Sequence, residues 1–228
     1  MAVNIVDRVA DRVKIRRAIV SVSDKAGLAE FVPGLVEACP GIRFYSTGGT
    51  YDSLKAVLPD AATRLVSISE YTGQPEMQGG LVKTLDFKVY LGLLSESFNP
   101  AHQADLARTG AEAFDLVVVN LYPFRETVAK AGATAESARA NVDIGGPCMV
   151  RASAKNYHRV AIVVDPKTYP EVLAALQKGK GTLPLEFRFA LAKKAFAHTA
   201  AYDAAIAEYL ARLDFKAVKA CYRIENPA

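Results

Sequence analysis

The run Asp115-Leu116-Val117-Val118-Val119-Asn120-Leu121-Tyr122-Pro123 constrains the fold of this chain more than any other stretch. It is a continuous β-branched and apolar segment with no polar alternation, so it predicts a strand buried on both faces. A strand of that kind belongs in the middle of a parallel sheet covered by helices on each side. Hydrophobic residues make up 51% of the 228 positions, enough apolar surface to cover it. The rest of the chain supplies the matching pieces. Further strands are expected over 17–23, 42–46, 64–68 and 159–166. Helical spacing follows them through Leu28, Phe31, Leu35 and Val36, from Tyr51 to Lys55, over 170–176, and over 185–210.

Strands alternating with helices imply an α/β fold with a mostly parallel central sheet and right-handed crossovers. We expect a single domain over 1–228, with an N-terminal segment at 1–16 and a helical C-terminal extension over about 184–228. Val6, Val9, Ala10 and Val13 suit a short amphipathic helix. The segment 70–84, rich in Gly, Gln and Pro, reads as irregular. Phe189, Ala192 and Phe196 form an apolar stripe expected to be core.

Composition excludes several classes of protein. No apolar run is long enough to span a bilayer, and Asp7, Arg8, Asp11, Arg12 and Lys14 interrupt what a signal peptide would keep apolar. A cytoplasmic location is the default expectation. Cys39, Cys148 and Cys221 are odd in number and far apart, which suits neither a disulfide framework nor a metal knuckle. His102, His158 and His198 are equally scattered, so no metal site is expected. The formal charge of +4 comes from Lys and Arg spread along the chain, so no nucleic acid partner is expected.

Ligands of open α/β sheets bind outside the carboxyl ends of the strands. Polar clusters at Ser23, Thr47, Asn120 and Asp165 fall there. Ser21-Val22-Ser23-Asp24-Lys25 and Ser46-Thr47-Gly48-Gly49-Thr50 both suit phosphate, with hydroxyls and backbone N–H groups at a helix start. Neither has P-loop or dinucleotide spacing, and taken singly such residues are also ordinary helix caps. The stretch 143–156, DIGGPCMVRASAKN, reads as a glycine turn feeding a helix. It sets Asp143 before free N–H groups, and helical spacing places Arg151 and Lys155 on one face, where their charge could point back toward Asp143. The same residues also fit a glycine-rich connection into a solvated surface helix.

The motifs SVSDKAGL, STGGTYDSLK, YTGQPEM, GGLVKTL, VVVNLYPF, NVDIGGPCMVRASAKNY and KAFAHTAAYDAAIAEYL occur in this order. In this the chain resembles the IMP cyclohydrolase domain of the bifunctional purine-synthesis enzymes, over nearly all of 17–210. The resemblance implies a methylglyoxal synthase-like three-layer α/β/α fold. It also implies closure of 5-formamidoimidazole-4-carboxamide ribonucleotide to IMP without cofactor or metal. A homodimer is expected with it. Family members usually continue into a formyltransferase domain, so formyl transfer is expected from a separate protein.

Carried over by position, nucleotide binding falls on Ser23, Asp24, Lys25, Thr47, Gly48, Gly49, Thr50, Lys83, Thr84, Val119, Asn120, Asp143 and Ile144. The chemistry falls on Lys83, Tyr122, Asp143 and Lys155. Of these, Lys155 and Asp143 are expected to move protons, Tyr122 and N–H groups after Gly145 to hold the oxyanion, and Lys83 to orient charge. Where the family has GRVKTLHP, this chain has Gly80-Leu81-Val82-Lys83-Thr84-Leu85-Asp86-Phe87, so an arginine fork is lost and Asp86 is expected to bring negative charge near the ligand. Arg64 or Arg151 are candidates to replace the lost charge. Two rival readings stay open: a non-catalytic nucleotide-binding relative, and another enzyme of this fold acting on a smaller phosphorylated substrate.

Overall fold

The computed structural model describes residues 4–75 and 84–225. Its centre is a five-stranded sheet, parallel throughout, built from β2 (Arg17–Val22), β3 (Arg43–Ser46), β4 (Leu65–Ser67), β5 (Leu116–Asn120) and β6 (Ala161–Val163) in the order β4-β3-β2-β5-β6. The run at 115–123 forms the strand it predicts, and all five residues of β5 are buried.

Side chains alternate between two cores, as a pleated strand requires. Ala18, Val20, Phe44, Leu116, Val118 and Ala161 face one cluster with α1 (Leu28–Ala38), α2 (Gly48–Val57) and α10 (Tyr169–Lys178). Ile19, Tyr45, Val117, Val119 and Ile162 face the other with α5 (Phe87–Leu94), α9 (Gly145–Lys155) and α11 (Leu185–Arg212). These are the three layers expected. The long helix α11 is more than an extension, because Ala192 and Ala195 pack into the second core while Ala205 joins Phe124 and Ala138 in a third cluster. Short helices α3 (Ala61–Arg64), α4 (Ile68–Thr72), α6 (Pro100–Thr109), α7 (Phe124–Ala129), α8 (Ala135–Ala140) and α12 (Phe215–Lys219) fill the connections.

Three expectations are corrected. The N-terminal segment is not helical where described: Arg12–Lys14 forms β1, antiparallel to β7 (Thr182–Pro184), with Val13 opposite Leu183. Its partner lies some 170 residues away, where local periodicity carries no information. The reading also lacks α5 and α6, although the signals stand in the sequence. Asp86 and Asn99 cap them by accepting backbone N–H bonds, and Pro100 opens α6. Phe189 and Phe196 are not core; they lie just outside the buried stripe of α11, beneath Lys193 and Arg151 respectively.

The N-terminal segment is held by Arg188, whose side chain is fully buried at the start of α11. Its guanidinium donates to the carbonyls of Ala10, Asp11, Tyr157, His158 and Leu183. Burial pushes its pKa down to about 10, still well above neutrality. Arg188→Met removes five charge-assisted bonds and leaves buried carbonyls without donors, a loss of about 3–5 kcal/mol. We expect thermal melts of this variant to fall by about 10 °C.

Candidate active site

The strand order reverses direction between β2 and β5, and a crevice opens at that switch point outside the carboxyl ends of the strands. There the structure holds a cavity of about 620 Å³. Its size is that of a small-molecule pocket. Of the residues singled out in the sequence, Ser23, Lys25, Thr47, Gly48, Gly49, Thr50, Thr84, Val119, Asn120, Tyr122, Asp143 and Ile144 all line it. Lys83 and Leu81 lie outside the described residues.

Two helices point their amino ends into this space. Helix α2 starts at Gly48 with no side-chain cap, so the N–H groups of Gly48, Gly49 and Thr50 have no partner within the helix. Gly48 takes φ 49°, a left-handed value that a side chain would strain. Lys25 stands beside this turn, with Nζ 3.9 Å from where a Cβ on Gly49 would sit. An ammonium and a helix amino end converge on one spot, which is the arrangement an anion needs.

The second helix, α9, presents Asp143. This half-buried carboxylate accepts the Gly146 N–H through Oδ1 (2.8 Å) and the Tyr122 N–H through Oδ2 (3.4 Å). Its own N–H donates to the Tyr202 hydroxyl at 2.8 Å. Burial raises the Asp143 pKa, and the two backbone bonds only partly offset it. A Cβ on Gly146 would lie 2.7 Å from both Asp143 Oδ2 and Leu121 Cδ2, so a side chain there would displace the carboxylate. Thr84 sits against the start of α9, its hydroxyl 2.9 Å from a Cβ position on Gly145. Among the described lining residues, Lys25 is the one cation and Asp143 the one carboxylate.

Several expected ligands have other employment. Asn120 accepts the Ser23 and Asp24 N–H groups through Oδ1 (2.7 and 2.8 Å) and donates to the Asp24 carbonyl, clamping the loop that carries Lys25. The Thr50 hydroxyl both accepts from the Val22 N–H and donates to the Val22 carbonyl. Asp24 caps its own turn through the Ala26 N–H and does not line the cavity.

Other expected residues stand away from the cavity. Arg151 and Lys155 do not point back toward Asp143. Lys155 is exposed at the opposite end of the 11-residue α9, ~15 Å along the axis, and is absent from the cavity wall. Arg151 lies over the Phe196 ring, and Arg64 is tied to Asp60 and to the carbonyls of Pro40 and Ile42, so neither replaces the arginine absent at Leu81. Nor do N–H groups after Gly145 await an oxyanion: Gly146 donates to Asp143, Pro147 has none, and Cys148 donates to the Ile144 carbonyl. Asp86 brings no charge to the ligand either. It is buried and accepts the Lys88 N–H at 2.7 Å as the cap of α5. Tyr202 escaped notice as a site residue because it sits in a helix whose pattern reads as packing.

A doubly wound sheet with an anion cradle and a carboxylate in one switch-point cavity is an arrangement able to hold a small anionic ligand. Residues 27–148 match the MGS-like domain family, and residues 153–226 match the family described as AICARFT/IMPCHase bienzyme. The chain belongs to the MGS-like domain family. It is 49% identical over 201 residues to the bifunctional purine biosynthesis protein PurH of Magnetococcus marinus, covering 88% of this chain. The protein of the same name from Bacillus cytotoxicus is 49% identical over 195 residues, 86% of this chain. The chain spans 37% of the length of each of these relatives. The crystal structure of ForH superposes with a TM-score of 0.71 at 36% identity, covering 85% of this chain and 98% of that one. Among the described residues, no helix is long and apolar enough to cross a membrane.

Two outcomes test this geometry. Asn120→Ala leaves the Ser23 and Asp24 N–H groups without their acceptor, at about 1–3 kcal/mol each. The variant should melt several degrees lower and bind phosphate-bearing ligands at least tenfold more weakly by calorimetry, because the Lys25 loop is released. For Asp143, a folded pKa above the unfolded value means the folded protein holds that proton more tightly. Its contribution to stability is complete below the unfolded pKa and is lost as pH rises through the folded one. Melts from pH 3 to pH 7 should therefore show wild type losing stability relative to Asp143→Asn as pH rises.

Proposed function

We propose that the protein is an IMP cyclohydrolase, closing the ring of 5-formamidoimidazole-4-carboxamide ribonucleotide to give IMP and water. The observation that carries this reading is the single cavity in which the Lys25 cradle and the Asp143 carboxylate face one ligand space. Identity to the PurH proteins over most of this chain supports the same reaction. The phosphate rests on Lys25 and the amino end of α2, and the ring with its two side groups lies toward Asp143 and Tyr122.

In the reaction the carboxamide nitrogen attacks the formyl carbon. One carboxamide proton leaves as the C–N bond forms, the formyl oxygen becomes a hydroxyl, and loss of that hydroxyl with the formamido nitrogen's proton gives water. Asp143 is the base that takes the first proton, since its raised pKa makes it a better acceptor than an ordinary aspartate. Its Oδ2, held by only one long bond, is the freer oxygen. Tyr122 and the Gly145 N–H assist at the oxygen. Because both reacting groups belong to one substrate, holding them in the ring plane supplies much of the acceleration. Lys83 orients charge, and a homodimer completes the proposal.

The test is direct: purified protein is mixed with the formamido nucleotide and IMP formation is followed by absorbance. Turnover is expected, and Asp143→Asn should reduce kcat by ~10²–10⁴-fold with nucleotide binding largely kept. The acid limb of the rate profile should lie above the usual aspartate value of about 3.9. Nucleotide binding with no IMP above the uncatalysed rate would make the protein a sensor instead, with Leu81 the first suspect.

A further inference from the structure

A second cavity, of about 520 Å³, lies at the opposite edge of the sheet, where β2 and β3 begin. Its wall includes Lys14, Arg16, Arg17, Arg43 and Lys180, and no acidic residue. These cations come from three separate segments fixed to one another by backbone bonds, Ile15 N–H to the Gly181 carbonyl and Arg43 N–H to the Arg16 carbonyl. The cleft is therefore built by the fold rather than assembled from loose side chains.

Its charge is poorly balanced. Glu112 lies outside the wall and pairs with both Arg17 and Arg43. Asp115 spends one oxygen on the Arg16 and Arg17 N–H groups and pairs with the buried Arg159 at 3.8 Å. Among the described residues Lys14, Arg16 and Lys180 have no carboxylate partner. Five cations thus line a wall whose neighbouring carboxylates are two, Glu112 and Asp115, the second shared with Arg159. Lys180 is the residue just past the end of α10 and takes φ 52°, in the left-handed region. That backbone closes α10, with the Lys180 N–H on the Gln177 carbonyl and the Gly181 N–H on the Leu176 carbonyl, and it fixes Lys180 at the mouth of the cleft. The thiol at the cleft, Cys39, is pushed up to about 11 by burial, so it is no nucleophile.

We propose that this cleft is a second ligand site, separate from the switch-point cavity, that takes the oligophosphate chain of a small molecule. Concavity and volume fit a small ligand rather than an extended polymer. Three arginine forks and two ammonium groups around one small space match several adjacent phosphate oxygens. The site does not depend on the cyclohydrolase reading.

Isothermal titration of the whole chain with sodium tripolyphosphate at low salt tests it, using Lys25→Gln to silence the first cavity. Binding should persist in Lys25→Gln and weaken about a hundredfold when Arg16→Gln and Lys180→Asn are added together, because each lost charged contact is worth roughly tenfold. Both side chains are exposed and asparagine accepts the left-handed backbone, so an unchanged melting curve is expected for the added changes. ATP binding alongside tripolyphosphate would identify a nucleoside polyphosphate as the source. Absence of saturable binding in Lys25→Gln, or binding untouched by the Arg16 and Lys180 changes, would overturn the proposal. So would binding of an oligoglutamate peptide but not tripolyphosphate, which would make the cleft a protein-docking surface.

Discussion

Everything in this domain hangs on how β5 is fixed against β2. The strand has five buried residues and no polar side chain along its middle, so register must come from its ends. At one end Asp115 receives the N–H groups of Arg16 and Arg17. At the other, Asn120 receives those of Ser23 and Asp24. The two central strands are thereby pinned at both extremities, and the crevice between them opens at a defined place. Arg159 extends the lower pin, donating to the carbonyls of Gly92, Ser95 and Phe114 while facing Asp115. Hydrophobic burial makes the sheet stable, and these buried polar bonds make it specific.

That division explains what was legible in the sequence. The parallel core was readable because an apolar strand flanked by helical periodicities admits few arrangements. The site was readable as a set of loops, because strand carboxyl ends converge in any such sheet. The role of each residue was not. Asn120 and Thr50 have the chemistry of ligands and are used to tie loops, since a side chain that can hold a phosphate can equally hold a backbone N–H. Helical spacing put Arg151 and Lys155 on a common side of α9 but says nothing of which end reaches the cavity. Pairing of β1 with β7 was invisible for a different reason, as no local pattern specifies a partner so remote.

The substituted segment before α5 shows how a departure from a family motif can be structural. Asp86 looked like an intruding charge near an anionic ligand. In the fold it is a buried cap whose carboxylate serves the Lys88 N–H, and Phe87 begins the helix exposed. Thr84, two residues earlier, still reaches the start of α9. The change therefore strengthens a helix start while keeping the neighbouring hydroxyl on the cavity wall.

The clasp made by β1, β7 and Arg188 bears on how the chain is made. Ala10, Asp11 and Val13 meet their partners at Leu183, Leu185 and Arg188. On the ribosome the amino end must wait, unpaired, while the whole parallel sheet is synthesised and folds behind it. Closure of the domain is thus a late event, governed by arrival of β7 and α11 rather than by the strength of the first strand.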